Sequence, residues 1–281
     1  MSSIAPDAAN FEPLSRESIP SAWRLSTQAG WNQTGEDWGR LMRMDGTCVK
    51  VLIPDGEVRA SYSVVGYDRK VAWIGMILVD EAYRGAGWGK AAFTAALRES
   101  AGWEAVGLDA TSLGEPIYVK QGFEVGCPIV RWKTGSSGSA HSVPPLPKGL
   151  HEGIFALDAS CTGVDRAGLL QDLADSGAAV FRWEEQGETS AYGIVRPGRT
   201  AAHLGPVVAK SREGFTAVLD QALAFCRGEP LICDAVSADA GRILANRGME
   251  PVRFLKRMTR SLDARCLSGP GVWCGAGFEL G

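Results

Sequence analysis

Several features that mark other classes of protein are absent from this chain of 281 residues. Its seven cysteines form no C-x-x-C pair, and their odd number fits neither a zinc site nor a closed disulfide framework. No apolar run approaches the roughly 20 residues that a membrane helix needs. A formal charge of −3 gives no basic excess for binding nucleic acid. We therefore expect a cytoplasmic protein with reduced cysteines, no metal, and neither a membrane nor a nucleic-acid partner.

The length and composition suit two compact domains. With 45% hydrophobic residues, 281 residues are enough for two cores of ordinary size. Near the middle of the chain the composition changes abruptly to Gly, Ser and Pro, which is typical of a linker. The sequence therefore predicts a first domain over 1–133, a linker over 134–148 and a second domain over 149–281.

Periodicity and turn residues predict an α+β fold for the first half. Apolar patterning indicates strands over 11–14, 47–53, 57–66, 71–79, 104–110 and 123–132. Helical spacing and end signals indicate helices over 17–28, 34–44, 88–97 and 116–121. Thr34 is the expected N-cap of the second helix, with Asp37 as its first-turn acid.

The loop between strand 71–79 and helix 88–97 carries the chemistry that is easiest to recognise. It contains the segment Arg84-Gly85-Ala86-Gly87-Trp88-Gly89. Glycines at a strand-to-helix turn let main-chain N–H groups approach an anion at the positive end of the helix. No Gly-Lys-Ser/Thr closes a Walker loop, and no acidic residue ends a second strand as a Rossmann site requires. The loop is either a pyrophosphate cradle or only a glycine-rich turn.

Two blocks resemble the GCN5-related N-acetyltransferases. The acetyl-CoA loop pattern of that family, Arg/Gln-x-x-Gly-x-Gly/Ala, is matched by Arg84, Gly87 and Gly89. Its Tyr-x-x-x-Gly-Phe block is matched by Tyr118, Gly122 and Phe123. The segments GWNQT, LDATSLGEPIY and GPVVA extend the resemblance over nearly the whole chain, to the tandem members whose second domain is a divergent copy.

The resemblance implies a fold and a co-substrate. We expect two tandem acetyl-CoA N-acyltransferase-like domains, each with a mixed, mostly antiparallel, twisted sheet flanked by helices. Acetyl-CoA would be the co-substrate, held in part by the backbone of the central strand. The residues implied in its binding are Ile77, Leu78, Val79, Arg84, Gly85, Ala86, Gly87, Trp88, Gly89, Lys90, Thr111 and Lys120.

The resemblance also places the catalytic and acceptor residues. Tyr118 would protonate the departing thiolate, since a phenol remains protonated at neutral pH. The central strand carries no acidic residue or His to serve as a base, so Asp109 either acts through a water or caps the next turn. The candidates for substrate contact are Trp31, Asn32, Gln33 and Arg196, for which a core anchor, a turn and a capped helix are the alternative explanations.

The second half repeats the first with one informative deletion. Gly75 aligns with Gly205 at an offset of 130. At later positions the offset falls to 125 or 126, in the pairs Leu97 with Leu223, Asp109 with Asp234, and Gly122 with Gly248. The four missing residues fall in the glycine loop, and Tyr118 aligns with Leu244 at an offset of 126. The second domain should therefore keep the fold without binding a cofactor.

Together these features predict an N-acetyltransferase that acts on a primary amine. The acceptor is expected to be a small metabolite, acetylated by direct transfer in a ternary complex. Two alternatives stay open, namely a protein N-acetyltransferase and an acyl-CoA sensor that has lost turnover. We expect a monomer in which the two halves form an internal pseudo-dimer.

Overall fold

The computed structural model describes residues 10–135, 150–261 and 267–281, with only the backbone at 261. By their contacts the residues form two compact units, Met1–Val106 and Gly107–Gly281. The linker expected over 134–148 lies almost entirely outside the described residues, so the predicted domain division stays a prediction. Among the described residues, no helix has the length and apolar character that crossing a membrane requires.

The first unit is an antiparallel sheet with three helices. The strands are ordered β1-β2-β3-β4. The N-cap predicted at Thr34 is confirmed at the start of the second helix, where Asp37 also accepts from the Thr34 N–H and completes a capping box. Trp38, Leu41 and Trp73 are among its fully buried side chains. The elements are β1 (Glu12–Pro13), α1 (Ile19–Gln28), α2 (Gly35–Arg43), β2 (Cys48–Leu52), β3 (Ala60–Tyr67), β4 (Val71–Val79) and α3 (Trp88–Glu99).

The second unit contains a larger mixed sheet. Its strands are ordered β5-β11-β6-β10-β12-β9-β8-β7, and β10 also pairs with β9 in parallel. The elements are β5 (Ala105–Ala110), α4 (Glu115–Val119), β6 (Glu124–Thr134), α5 (Glu152–Thr162), α6 (Ala167–Asp175), β7 (Ala179–Glu185), β8 (Glu188–Arg196), β9 (Ala202–Ala209), α7 (Arg212–Cys226), β10 (Leu231–Ala235), α8 (Ala238–Asn246), β11 (Met249–Ser261) and β12 (Val272–Cys274).

The two sequence repeats exchange their last long strands. In sequence, β6 follows β5 and β11 follows β10, so each would be expected beside its own neighbour. Instead β5 lies next to β11, β10 pairs with β6, and β6 and β11 pair with each other along most of their length. Each repeat therefore completes its sheet with a strand from the other repeat. The α+β fold with a mostly antiparallel sheet is confirmed, whereas this exchange was not predicted.

Candidate active site

A bulge redirects β4 shortly before the glycine loop. Ser61 of β3 pairs with Leu78, but Ser63 pairs with Gly75, so β4 has one extra residue between these positions. Met76 has a left-handed φ of 48°, which is unusual for a residue with a side chain. The Ser61 hydroxyl donates to the Met76 carbonyl at 2.8 Å and holds this conformation. The bulge alters the backbone just before Ile77, the first of the three strand residues expected to meet acetyl-CoA.

Ser61, which supports the bulge, is not marked by any motif of the sequence. Serine is unremarkable in a strand. Both Ser61 and Ser63 are completely buried, however, on a strand whose other buried members are mostly apolar. A buried hydroxyl needs a partner, and for Ser61 that partner is the bulge carbonyl. The polar interruptions of an otherwise apolar strand were the available signal.

The loop after β4 folds back against the end of the strand. Asp80 accepts from the backbone N–H of Ala82 and so caps a short 3₁₀ turn. Arg84 then donates from Nε to the Val79 carbonyl at 3.2 Å. Gly85 and Gly87 have φ of 80° and 90°, in the region that side-chain-bearing residues rarely adopt. Of the two glycines in the motif, Gly87 is required by the backbone of the turn, whereas Gly89 lies inside the helix without a positive φ.

The N-terminus of α3 suits a diphosphate. Its N-cap is Gly87, which offers no side-chain cap, so the first N–H groups of the helix are available to an anion. A Cβ at Gly89 would make only an ordinary van der Waals contact with the Val79 side chain, at 3.7 Å. The side chains of Arg84 and Lys90 are exposed beside these groups. The residues present therefore fit the diphosphate of a coenzyme A thioester.

The N-terminus of α7, the corresponding helix of the second repeat, is capped by a side chain. Ser211 is the N-cap and its hydroxyl accepts from the Gly214 N–H at 3.0 Å. The N–H that an anion would need is therefore already used. This local cap occupies the shortened segment 210–214, where the four-residue deletion was predicted.

The C-terminal segment pairs with the strands of the second repeat at the position where a cofactor would bind. Strand β12 lies between β9 and β10, antiparallel to both. Ala209, near the position equivalent to Val79, donates its N–H to the Gly271 carbonyl at 2.8 Å, and Val236 donates to Trp273 at 3.1 Å. The Trp273 indole stacks on Phe215 with 4.5 Å between ring centroids. The backbone groups that a cofactor would meet here are thus paired with the protein itself.

Tyr118 lies in the second unit, on the short helix α4. Its side chain is partly buried, and burial raises its pKa above the usual value for a phenol. The ring packs against Gly114, where a Cβ would lie 2.8 Å from Cε2, and its centroid lies 6.3 Å from that of Phe123. Tyr118 is therefore protonated at neutral pH, as a proton donor must be.

Asp109 is held in a buried ion pair. Its two carboxylate oxygens accept from Nε and Nη2 of Arg257, both at 3.0 Å, and both side chains are 1% exposed. Burial raises the pKa of Asp109, and the charge of Arg257 opposes this shift. The turn before α4 is capped instead by the Thr111 hydroxyl, which accepts from the Gly114 N–H at 3.3 Å. Acting as a base would require Asp109 to leave Arg257.

The acceptor candidates fall in both units. Residues Trp31, Asn32 and Gln33 form the connection between α1 and α2 in the first unit. Gln33 is buried, and its main-chain carbonyl accepts a hydrogen bond from the Trp23 indole at 2.9 Å. In the second unit Arg196 is 5% exposed and directed inward. It donates to the Ala276 carbonyl at 2.8 Å and pairs with Glu279 at 3.2 Å.

The predicted residues thus divide between the units. The first unit brings the end of β4, residues 77–79, together with loop 84–90. The second contains Asp109, Thr111, Tyr118, Lys120 and Arg196; Thr111 and Lys120 are exposed at either end of α4. The roles of all these residues in binding or catalysis stay predictions.

Comparison with known families assigns both repeats. Residues 16–123 match the model of the acetyltransferase (GNAT) family, and residues 154–266 match a model of an acetyltransferase (GNAT) domain. The chain is a tandem GNAT N-acetyltransferase. The GNAT match to the first repeat includes the glycine loop and Tyr118, and members of this family generally use acetyl-CoA.

Known relatives and solved structures are similar to this chain over long stretches. The N-acetyltransferase YitH of Bacillus subtilis, itself uncharacterised, is 26% identical over 213 residues, which cover 71% of this chain and 73% of YitH. A structure from Pyrococcus horikoshii, assigned as an acetyltransferase, has a TM-score of 0.81 at 18% identity and covers 100% of this chain and 99% of its own. A tandem GNAT protein from the clavulanic acid biosynthesis pathway has a TM-score of 0.58 at 15% identity, covering 89% and 97%.

Proposed function

We propose that this GNAT protein transfers the acetyl group of acetyl-CoA to the primary amine of a small metabolite, by direct transfer in a ternary complex. The observation that supports this best is the contrast between the two repeats. The first has a glycine loop leading to a helix without a side-chain cap. In the second, Ser211 caps the equivalent helix and β12 pairs with the equivalent strand. One donor site per chain follows from this contrast.

Acetyl-CoA supplies the activated acetyl thioester. The diphosphate would be bound by the first N–H groups of α3, with Arg84 and Lys90 contributing charge-assisted contacts. The backbone of residues 77–79, redirected by the bulge at Met76, would bind the thioester arm and polarise its carbonyl. These roles use main-chain groups, so the site depends on backbone conformation more than on particular side chains.

Tyr118 would act as the general acid. Thiolate departure is assisted when a neutral donor delivers a proton to the sulfur, and burial keeps the Tyr118 phenol neutral by raising its pKa. The amine proton would pass to solvent, because β4 carries no base and Asp109 is engaged by Arg257. Such an enzyme requires an acceptor that is at least partly unprotonated in solution.

Support for a small acceptor comes from the segment 31–33 and from relatives. In the family this segment contributes one wall of the acceptor site, and here it is fixed between two helices by the Trp23 to Gln33 hydrogen bond. The tandem GNAT relative named above belongs to a biosynthetic pathway of a small molecule. The sensor alternative is favoured by one observation, the engagement of Asp109, and it predicts binding without turnover.

The test is turnover with a panel of amines, followed by release of free thiol. Once an acceptor is found, Tyr118→Phe should slow single-turnover transfer by about 10²–10⁴ while acetyl-CoA affinity stays within about threefold. Tyr67→Phe is the matched control, since Tyr67 is a buried tyrosine at the opposite end of β3 and β4 from the loop. A Tyr118→Phe protein with the parental rate would remove Tyr118 as the acid. Acetyl-CoA binding without turnover on any amine would support the sensor.

A further inference from the structure

Strand β11 of the second repeat contacts the segment that carries Tyr118 with three cations. Lys256 pairs with Glu115 of α4, Arg257 pairs with Asp109 of β5, and the Arg260 guanidinium lies 5.7 Å from the centroid of the Phe123 ring. All of these residues belong to the second compact unit. The three contacts fall before, on and after the short helix α4.

The Arg257 contact fixes the end of β5, from which the chain continues to α4 and Tyr118. Arg257 uses Nε and Nη2 on the Asp109 carboxylate and Nη1 on the Leu267 carbonyl at 2.9 Å. A bidentate guanidinium fixes both distance and orientation, and breaking such a buried pair leaves a charge without compensation. The position of Asp109 is therefore set by the second repeat.

The Lys256 contact holds α4 itself. The Lys256 ammonium lies 2.7 Å from Oε1 of Glu115, a pair that is partly exposed to solvent. Helix α4 has five residues and no side-chain cap, so it is too short to be stable alone. Anchoring Glu115 in its first turn restricts the orientation of Tyr118, which lies one turn later.

The strand exchange provides a matched interaction elsewhere. Arg131 of β6 pairs with Asp234 of β10 at 2.7 and 2.8 Å, in the same bidentate geometry. Asp109 aligns with Asp234 and Arg131 with Arg257 at offsets of 125 and 126. The same interaction is thus made twice, once at the strand that precedes the helix of Tyr118 and once at the strand that precedes the helix of Leu244. Because the charge of Arg131 also acts on Asp109, Arg131→Met controls both for the loss of a buried ion pair and for a change of charge near Asp109.

We infer that Lys256 and Arg257 are positioning residues for acetyl transfer, through which the divergent second repeat orients the Tyr118 hydroxyl of the first. This inference rests on the proposed role of Tyr118 as the acid. It assigns a function in the reaction to a domain whose own cofactor site is closed. It also accounts for the strand exchange, which delivers the two cations to α4 and β5.

Fluorine NMR of the full chain with 3-fluorotyrosine tests the positioning without using activity. The chain contains five tyrosines, and Tyr118→Phe identifies the resonance of Tyr118 by its loss. Arg257→Met and Lys256→Met should each shift or broaden that resonance. Two controls should leave it unchanged, namely Arg131→Met and Arg247→Met, of which the second breaks a surface pair with Asp220.

Kinetics then connect position to rate. Arg257→Met should lower kcat at least about tenfold, while KM for acetyl-CoA stays within about threefold, because misplacing a reacting group slows the chemical step. Combined with Tyr118→Phe, the same substitution should cost less than about twofold more, because the hydroxyl that it orients is gone. Arg257→Lys should restore part of the rate, and Arg131→Met should stay within about threefold of the parent.

The outcomes separate this inference from the proposed function. An unmoved Tyr118 resonance in both β11 variants, or an equal effect of Arg131→Met on rate and resonance, overturns the positioning role. Parental turnover by Tyr118→Phe removes the acid and with it the kinetic role of β11. If Arg257→Met does not fold, the exposed Lys256 pair still decides the question, since its loss costs little stability.

Discussion

His203 should make this protein lose stability in mild acid. The side chain is 3% exposed on β9, with Nδ1 2.6 Å from an Arg196 nitrogen and Nε2 3.1 Å from Oδ2 of Asp234. Because arginine only donates and a carboxylate only accepts, Nδ1 is the acceptor and Nε2 carries the proton. The imidazole is thus neutral. Burial, with a smaller effect from Arg196, lowers its pKa from 6.5 to about 4.

The size of the effect follows from that difference in pKa. The unfolded chain takes up a proton on His203 near pH 6.5, whereas the folded protein resists it until about pH 4. The contribution to stability is therefore present above pH 6.5 and is lost as the pH falls. Linkage between the two states gives a loss of about 2 kcal/mol between pH 7 and pH 5, and about 3 kcal/mol by pH 4.

The assay is denaturant unfolding of the parent and of His203→Gln at pH 7, 6 and 5, followed by tryptophan fluorescence. A glutamine amide can accept from Arg196 and donate to Asp234 without titrating. Groups other than His203 titrate in both proteins and cancel in the comparison. The parent should lose about 2 kcal/mol more than the variant between pH 7 and pH 5. If the free energy of unfolding fell equally with pH in the two proteins, His203 would have the same pKa in the folded and unfolded states, and the argument from burial would fail.

Three further predictions concern the cofactor loop and the core. Gly87→Val and Arg84→Glu should each weaken acetyl-CoA binding by more than about 2 kcal/mol in calorimetry. The control Gly56→Val, at a positive-φ turn with free space around it, should not weaken binding, and an equal loss in this control would contradict the role of loop 84–90 in binding the diphosphate. Titration should saturate at one acetyl-CoA per chain, and two would overturn the closure of the second repeat. Arg166→Met leaves Asp158 buried without its bidentate partner and should lower the free energy of unfolding by about 3–5 kcal/mol in denaturant titration. Arg247→Met, at the surface, should lower it by less than about 1 kcal/mol. Equal losses in the two variants would contradict the argument that burial makes the first pair costly to break.

The elements near the site could be predicted because their signals are local. Strand β4 has the predicted bounds, and the N-cap of α2 at Thr34, with Asp37 in the first turn, was predicted as well. The positive φ values of Gly85 and Gly87 follow from a sequence that must turn sharply from a strand into a helix. Neighbouring residues largely determine caps, turns and the period of apolar positions, so one sequence is enough to locate them.

The interactions that organise the second unit could not be predicted because they are distant in sequence. Arg257 and Asp109 are separated by 148 positions, and Arg131 and Asp234 by 103. Strands β6 and β11 are similar in pattern, so either could lie beside β5 by its own sequence. Such pairing depends on which long strand lies at which edge of the sheet. The sequence of a strand shows its apolar period but does not identify the strand with which it pairs.

The second repeat supports the first through β11, while its own helix N-terminus and central strand are paired internally. Its loop is four residues shorter, Ser211 occupies the helix N-terminus, and β12 pairs with the strand that a thioester arm would meet. The Ser211 cap and β12 pair polar groups internally, which leaves fewer N–H groups for an anion. By contrast β11 is a long strand beside β5, and it contacts Asp109 of β5 through the buried Arg257 and Glu115 of α4 through Lys256. Because the first repeat depends on these contacts, whereas the N-terminus of α7 is capped locally by Ser211, β11 should tolerate fewer substitutions at the positions facing Asp109 and Glu115 than α7 does at its N-terminus, as measured by the stability of single variants.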